Sequence, residues 1–175
     1  MQRTQFATMA CSLARSLDLV GEPWTPLILR DVWLGRRRFD EIATNLEISR
    51  KVLASRLDTL VREGALERRL YRERPARHEY HLTEKGGELM DVLLALISWG
   101  DRWTAGKEGV PMLMRHTRCG EVVDAAVSCS NCGEPLHADE VRLEPGPGAR
   151  EGWGTRGLWA HHRRAKKRQK AKAAA

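Results

Sequence analysis

Two short turns in the C-terminal third of the chain carry residue types that bind metal ions. His116 and Cys119 form the first turn, Cys129 and Cys132 form the second, and a glycine follows each pair. A two-residue gap lets both side chains of a turn converge on one ion, and the glycine can adopt a positive φ that directs backbone N–H groups at the sulfur. Because Zn²⁺ takes four nitrogen or sulfur ligands, these residues are predicted to bind one structural Zn²⁺.

Two simpler explanations of the same residues remain open. Cys129 and Cys132 can be a redox pair, His116 can be an ordinary surface histidine, and the nine residues between the turns are fewer than in common zinc ribbons. A zinc deaminase is excluded, since it needs a glutamate where Arg118 stands and a proline where Ser128 stands. The chain also offers no paired carboxylates or nucleophile with a base at usable spacing, so no enzyme is expected.

Cys11 lies apart from the other three cysteines, near the start of the first predicted helix. The charge of Arg15 could favour its thiolate, which would make Cys11 a possible sensor of oxidants or electrophiles. The alternative is that Cys11 is a small apolar side chain buried in a dimer interface, which is a common role of free cysteine. The residues alone do not decide between these roles.

Positive charge is concentrated in two segments. Residues 36–77 contain twelve Lys or Arg against seven Asp or Glu, and residues 161–175 contain seven Lys or Arg and no acid. The net charge of +7 therefore comes from residues 161–175, and the rest of the chain is neutral overall. Local basicity of this kind is typical of polyanion binding. After Trp159 the tail lacks core-forming residues, so it is expected to be disordered when free.

Apolar periodicity predicts the elements that must position these residues. Four helices are followed by a two-stranded hairpin and a long helix whose broad apolar stripe needs a partner surface. This order is the winged helix-turn-helix arrangement, a mainly α fold with a small β-hairpin wing (α+β). The predicted helices are 13–20, 24–33, 39–46, 49–63 and 84–103, and the predicted strands are 65–71 and 78–82.

The helix at 49–63 has the features of a DNA recognition helix. Ser49 can cap it, aliphatic side chains close one side, and hydrogen-bond donors occupy the other side, which would enter the major groove. The hairpin tip at 72–77 would contact the DNA backbone or the minor groove. A single charge run is usually a solvated surface, but three runs around one helix-turn-helix favour DNA binding. The predicted DNA-binding residues are Arg36, Arg37, Arg38, Ser49, Arg50, Lys51, Ser55, Arg56, Arg72, Arg74 and Arg77.

Several stretches between residues 11 and 104 resemble the HxlR-type regulators. They are CSLARSLDLVG at 11–21, WTPLILR at 24–30, RFDEI at 38–42, SRKVLASRL at 49–57, LVREGAL at 60–66, EYHLTEKG at 79–86 and the Trp99-Gly ending. The resemblance implies a homodimer formed through the N-terminal and long C-terminal helices, two recognition helices one DNA turn apart, and repression or activation of nearby genes. Arg50 stands where the family often has Pro, and Ser12 follows Cys11 where Pro is usual; these departures bear on operator sequence and sensing chemistry.

Three regions are therefore expected. Residues 1–104 form the winged helix-turn-helix DNA-binding and dimerisation domain, 105–145 a zinc-ribbon-like extension, and 146–175 a flexible linker and basic tail. The expected partners are double-stranded DNA and a second copy of the chain, with an unidentified effector. The alternative is a winged-helix module for non-specific nucleic-acid binding or protein interaction. No apolar run is long enough to cross a bilayer and no secretory signal is evident, so the protein is expected at the nucleoid, in the cytoplasm.

Overall fold

The computed structural model describes residues 6–173, which contain helices and one β-hairpin. The first seven elements confirm the winged helix-turn-helix order predicted from the sequence, with ends that differ by at most one residue. No helix of the described part is both long and apolar enough to span a membrane. The elements are α1 (Ser12–Val20), α2 (Trp24–Trp33), α3 (Phe39–Leu46), α4 (Arg50–Arg62), β1 (Leu66–Arg72), β2 (Arg77–Leu82), α5 (Glu84–Trp103) and α6 (Arg156–Ala173).

The chain divides into two compact units whose limits differ from the expected domain boundary at residue 104. One unit runs from Pro23 to Pro135 and includes the segment that follows α5. The other joins the chain up to Glu22 with the chain from Leu136 onward. Helix α1 therefore groups with the C-terminal region, and not with α2 to α5.

The core of the 23–135 unit lies among α2, α3, α4, α5 and the base of the hairpin, with Met90 and Leu93 as the buried apolar residues of α5. Each helix contributes the apolar side of an amphipathic pattern, so that the aliphatic side chains meet and the charged side chains stay outside. The turn between α3 and α4 is short, with Glu47 in the left-handed region (φ 49°) and Ile48 buried. The largest fully buried apolar side chains are those of Ile28, Leu29, Ile42, Leu53, Leu57, Leu60 and Leu66.

Strands β1 and β2 pair antiparallel, from Leu66 opposite Leu82 to Arg72 opposite Arg77. A third short segment joins them, because the N–H of Tyr80 donates to the carbonyl of Arg37 at 2.8 Å and Arg38 bridges to Glu79. The loop before α3 is thus hydrogen-bonded to the wing. The sequence contains no strand-like pattern there, and this contact was not predicted.

The junction between the wing and α5 is closely packed. The Thr83 hydroxyl caps α5 by accepting from the N–H of Gly86 at 3.1 Å, and it donates to the carbonyl of Gly64 at 2.6 Å. Gly86 is buried, and a Cβ built on it would overlap the carbonyl oxygen of Ala65. Gly87, the next residue, has no atom within 4 Å of a Cβ position.

Gly86→Ala is therefore expected to destabilise the protein by about 1–3 kcal/mol, the usual range for forcing extra atoms into a packed site. Gly87→Ala is the matched control and should stabilise slightly, because alanine is the better helix former and its methyl meets open space. Urea unfolding followed by circular dichroism would measure both. Equal stability of the two variants would contradict the packing described for this junction.

The second unit contains α1 and α6. The N–H of Phe6 donates to both carboxylate oxygens of Asp18, at 3.0 and 2.9 Å, and the Phe6 ring stacks on Trp153 at 6.1 Å between centroids. The buried Thr155 hydroxyl accepts from the N–H of Gly152 at 3.0 Å just before α6 begins. Helix α6 occupies the tail that was expected to be disordered. Its alanines, lysines and arginines are strong helix formers, so local propensity favours a helix even without a core.

Candidate nucleic-acid interface

Helix α4 separates an apolar side from a polar side. The Ser49 hydroxyl accepts from the N–H of Val52 at 3.3 Å, which sets the start of the helix. The side chains that face the core are Leu53, Leu57 and Leu60. The exposed residues near the N-terminal end of the helix are Arg50, Lys51, Ala54, Ser55 and Asp58. The outer face thus combines two cations, a hydroxyl, one acid and one small side chain, and the small side chain leaves room for base edges.

Arg50 is held in place by two neighbours from α3. Its guanidinium lies 2.7 Å from an Asp40 carboxylate oxygen and 4.8 Å from the centre of the Phe39 ring. Both charged side chains are 72% exposed, and an ion pair so exposed contributes little to stability. Breaking the ion pair with Asp40 to bind a DNA acceptor would therefore cost Arg50 little free energy. Its contacts with Asp40 and Phe39 already restrict the orientation of its side chain.

Arg56 differs from the other predicted contacts on α4. It is half-buried, three residues after Leu53 and four before Leu60, so it lies towards the packed side of the helix. Its position is at the edge of the exposed face, whereas Lys51 lies opposite the buried leucines and Arg50 is exposed in the first turn of the helix.

The tip of the wing presents three exposed arginines, Arg72, Arg74 and Arg77. The Arg72 Nε donates to the carbonyl of Arg74 at 3.1 Å, so this side chain folds back over the tip. The tip carries charge beyond the body of the domain, which is what contact with phosphates requires.

Arg38 is half exposed and is paired within the domain. Its Nε lies 2.9 Å from a Glu79 carboxylate oxygen, and its guanidinium lies 4.6 Å from the centre of the Tyr71 ring. The hydrogen bond to Glu79 raises the pKa of Arg38 above its ordinary value. Arg38 therefore connects the loop before α3 to the wing. Of its neighbours, Arg37 is exposed and Arg36 is half-buried.

Asp31 is a positioning residue that was not predicted. It is fully buried on α2, accepts from the Asn45 side-chain amide of α3 at 2.6 Å, and is 2.9 Å from the Arg30 guanidinium. Its carbonyl also accepts from the N–H of Arg36 at 2.9 Å. These bonds fix α3 and the arginine loop against α2. The sequence does contain a sign of this role, because an acidic residue between two apolar core positions, Leu29 and Val32, indicates a buried carboxylate with polar partners.

The two cysteine turns have the same backbone geometry. In the first, the N–H of His116 donates to Glu121 at 2.9 Å and that of Gly120 donates back to His116 at 2.8 Å. In the second, the N–H of Cys129 donates to Glu134 at 2.7 Å and that of Gly133 donates back to Cys129 at 2.8 Å. Both glycines have positive φ, +77° and +81°. Each turn is therefore a compact loop that is closed by the same pair of backbone hydrogen bonds.

Within each turn, the pair of candidate ligands lies close together. His116 Nδ1 is 3.2 Å from Cys119 Sγ. The N–H groups of Cys132 and Asn131 hydrogen-bond to the Cys129 sulfur and lower the pKa of that thiol. The two turns do not meet, because no three His, Cys, Asp or Glu side chains of residues 6–173 gather closely enough to hold a metal ion.

Cys11 is half-buried at the residue before α1, and it is a free thiol like the other three cysteines. Its carbonyl accepts from the N–H of Arg15 at 3.1 Å. The Arg15 guanidinium lies 3.4 Å from the Ser12 hydroxyl. Neither contact distinguishes a sensor thiol from an interface residue.

The fold and this face together define a class of protein. A short-linked helix pair whose second helix exposes cations, followed by a hairpin with arginines at its tip, is a winged helix-turn-helix DNA-binding domain. Residues 19–108 match the family described as HxlR-like helix-turn-helix. The chain belongs to the HxlR-like helix-turn-helix family, as its sequence motifs indicated.

Similar proteins are transcription regulators. The chain is 47% identical over 137 residues to the HTH-type transcriptional regulator Rv3095 of Mycobacterium tuberculosis, covering 78% of this chain and 87% of the relative. It is 35% identical over 97 residues to the HTH-type transcriptional regulator YodB of Bacillus subtilis, covering 55% and 87%.

Two solved structures share the fold beyond the winged helix. PA1607, described as a transcription factor, aligns with a TM-score of 0.72 and 30% identity, covering 82% of this chain and all of that chain (100%). PA1374 from Pseudomonas aeruginosa, also described as a transcription factor, aligns with a TM-score of 0.57 and 37% identity, covering 81% and 96%. The protein is therefore a DNA-binding transcriptional regulator.

Proposed function

We propose that this regulator binds a specific operator as a homodimer, with α4 in the major groove and the wing tip at residues 72–77 on the DNA backbone or in the minor groove. The observation that carries this proposal is the exposed face of α4, where Arg50, Lys51 and Ser55 surround a small side chain. Arginine and lysine pair with guanine edges, and a hydroxyl can pair with any base. A regulator of this kind works at the nucleoid.

The homodimer is supported by an apolar face on α5. Val92, Leu96, Trp99 and Trp103 follow one another at helical spacing and are 55–70% exposed. Large contiguous apolar surface of this kind is usually covered by a partner. A second copy of the chain fits best, because two-fold symmetry would place two recognition helices on half-sites about 34 Å apart.

Operator selectivity can be tested by gel shift on the promoter region of the protein's own gene, with random duplex as competitor and increasing salt. The specific complex is expected to survive salt concentrations that release random duplex, since base contacts do not depend on counterion release. A shortened chain that ends at residue 160 should bind both duplexes more weakly. The slope of log affinity against log salt concentration should become shallower by up to about 0.9 for each tail cation that contacts a phosphate. The ratio of the promoter affinity to the random-duplex affinity should stay the same.

The same experiment distinguishes the alternative function. A winged-helix module that coats nucleic acid, or serves only protein interaction, would show no preference for promoter over random duplex. Its binding would also disappear with residues 161–175, which carry seven cations and no acid. Either result would overturn the proposed function.

A further inference from the structure

The segment that follows α5 is folded without a core. None of the buried apolar residues of the described chain lies between residues 105 and 135. Yet this segment contains two well-defined turns with matching hydrogen bonds. Polypeptide that buries so little apolar surface usually needs a metal ion, a disulfide or a partner to hold a fixed shape.

The geometry of the turns is suited to a metal ion. In the second turn, two backbone N–H groups point at the Cys129 sulfur, which is the arrangement that supports a metal-bound thiolate. The first turn repeats the same backbone path and places a histidine nitrogen beside Cys119. A redox pair needs only one such turn, whereas a tetrahedral ion needs two, each supplying two ligands.

The linker between the turns is attached to the end of α5. The N–H of Ala125 donates to the buried Ser98 hydroxyl at 2.8 Å, and Asp124 lies 3.6 Å from the Arg102 guanidinium. Both contacts lie between Cys119 and Cys129. The two turns therefore flank a segment that is attached to α5, and each turn lies close in sequence to one of these attachment points.

We propose that His116, Cys119, Cys129 and Cys132 bind one Zn²⁺, which joins the two turns and holds the extension against the end of α5. The two turns do not meet in this structure. Binding of the ion would bring them together, so that part of the binding free energy would be used to fold the extension. Coordination deprotonates three thiols, and their protons pass to solvent. Four protein ligands leave no open position on the ion, so its role is structural.

The test is the zinc content of the purified full chain, measured by elemental analysis after dialysis, with Co²⁺ absorption as a second measurement. One Zn²⁺ per chain is expected, together with thiolate-to-Co²⁺ charge-transfer bands in the cobalt-loaded protein. Cys119→Ser, Cys129→Ser and Cys132→Ser should each lose most of the metal. Gly133→Val, which disturbs the positive φ but leaves the ligands, should weaken zinc binding by about tenfold.

Two matched substitutions serve as controls, Cys11→Ser for the thiols and His137→Ala for the histidine. Both should retain the full zinc content, because neither residue belongs to the two turns. Clearly less than one Zn²⁺ per chain in the wild type, or cobalt bands without thiolate charge transfer, would overturn the proposal without any substituted protein. Loss of two free thiols on mild oxidation of metal-free wild type, with no zinc uptake by the reduced form, would identify a redox pair and would equally overturn it.

Discussion

Simultaneous Arg50→Glu and Lys51→Glu substitution is expected to lower operator affinity by about 100-fold or more. Loss of a well-placed base or phosphate contact costs about 1–3 kcal/mol. Reversal adds repulsion between the new carboxylates and the DNA phosphates. The effect should be largest at the base pairs that α4 faces, so selectivity should fall together with affinity.

The fold should tolerate this double substitution. Arg50 and Lys51 are exposed in the first turn of α4, while Leu53, Leu57 and Leu60 hold the helix to the core. Acidic residues in a first helical turn also interact favourably with the helix dipole. A loss of binding can therefore be attributed to the interface.

Fluorescence anisotropy with a labelled operator would measure the affinity. Lys107→Glu with Arg142→Glu is the matched control, since it makes the same change of net charge at exposed residues outside the winged helix. This control should weaken binding only slightly. If α4 charge reversal changed affinity and selectivity no more than the control does, α4 would not be the recognition helix.

Leu96→Glu with Trp99→Glu is expected to convert the proposed dimer to monomers and to reduce operator binding by at least about 100-fold. Burial of a large apolar side chain contributes about 1.5–3 kcal/mol to the free energy of association. In a two-fold dimer each substitution is present in both copies, so its effect on association is doubled. Both side chains are more than half exposed in the single chain, so the substitutions should disturb the dimer and not the monomer fold. A monomer would contact one half-site only.

Sedimentation equilibrium would measure the oligomeric state, with Leu113→Glu as the control because Leu113 is an exposed leucine outside α5. The control should remain dimeric and bind the operator normally. A wild-type protein that is monomeric at micromolar concentration, or a dimer unaffected by the double substitution, would contradict the role proposed for α5.

Local sequence patterns were sufficient to predict the winged helix. The cap at Ser49, the aliphatic spacing that follows it and the left-handed glycine at 64 determine α4 over a distance of a few residues. Thr83 and the apolar stripe after it determine α5 in the same way. The exposed position of Lys51 follows directly, because helical periodicity places it opposite the buried leucines. Arg50 is three residues before Leu53, on the same side of the helix, and is exposed in the first turn of α4.

Other parts of the interface depend on contacts between residues distant in sequence. Arg38 was predicted to bind DNA from its charge run, which does not reveal that its guanidinium also pairs with Glu79, forty-one residues later. Asp31 fixes α3 through Asn45, fourteen residues later. The sequence gives the positions of these charged side chains but does not show which partner each of them contacts in the folded chain.

The C-terminal region shows the same limit. Composition predicted a disordered tail after Trp159, whereas strong helix formers produce α6. The expected boundary at residue 104 separated regions that contact one another, since Ser98 binds the backbone of Ala125.

The sequence alone determined the family, the order of the elements and the side of α4 that carries its donors, because caps, turns and amphipathic periodicity act over one or two helical turns. The tertiary structure decided which arginines are held by acidic partners, how the loop before α3 joins the wing, and which segments group into one compact unit. Those outcomes depend on side chains that meet only after the chain has folded, and no local pattern encodes such pairings.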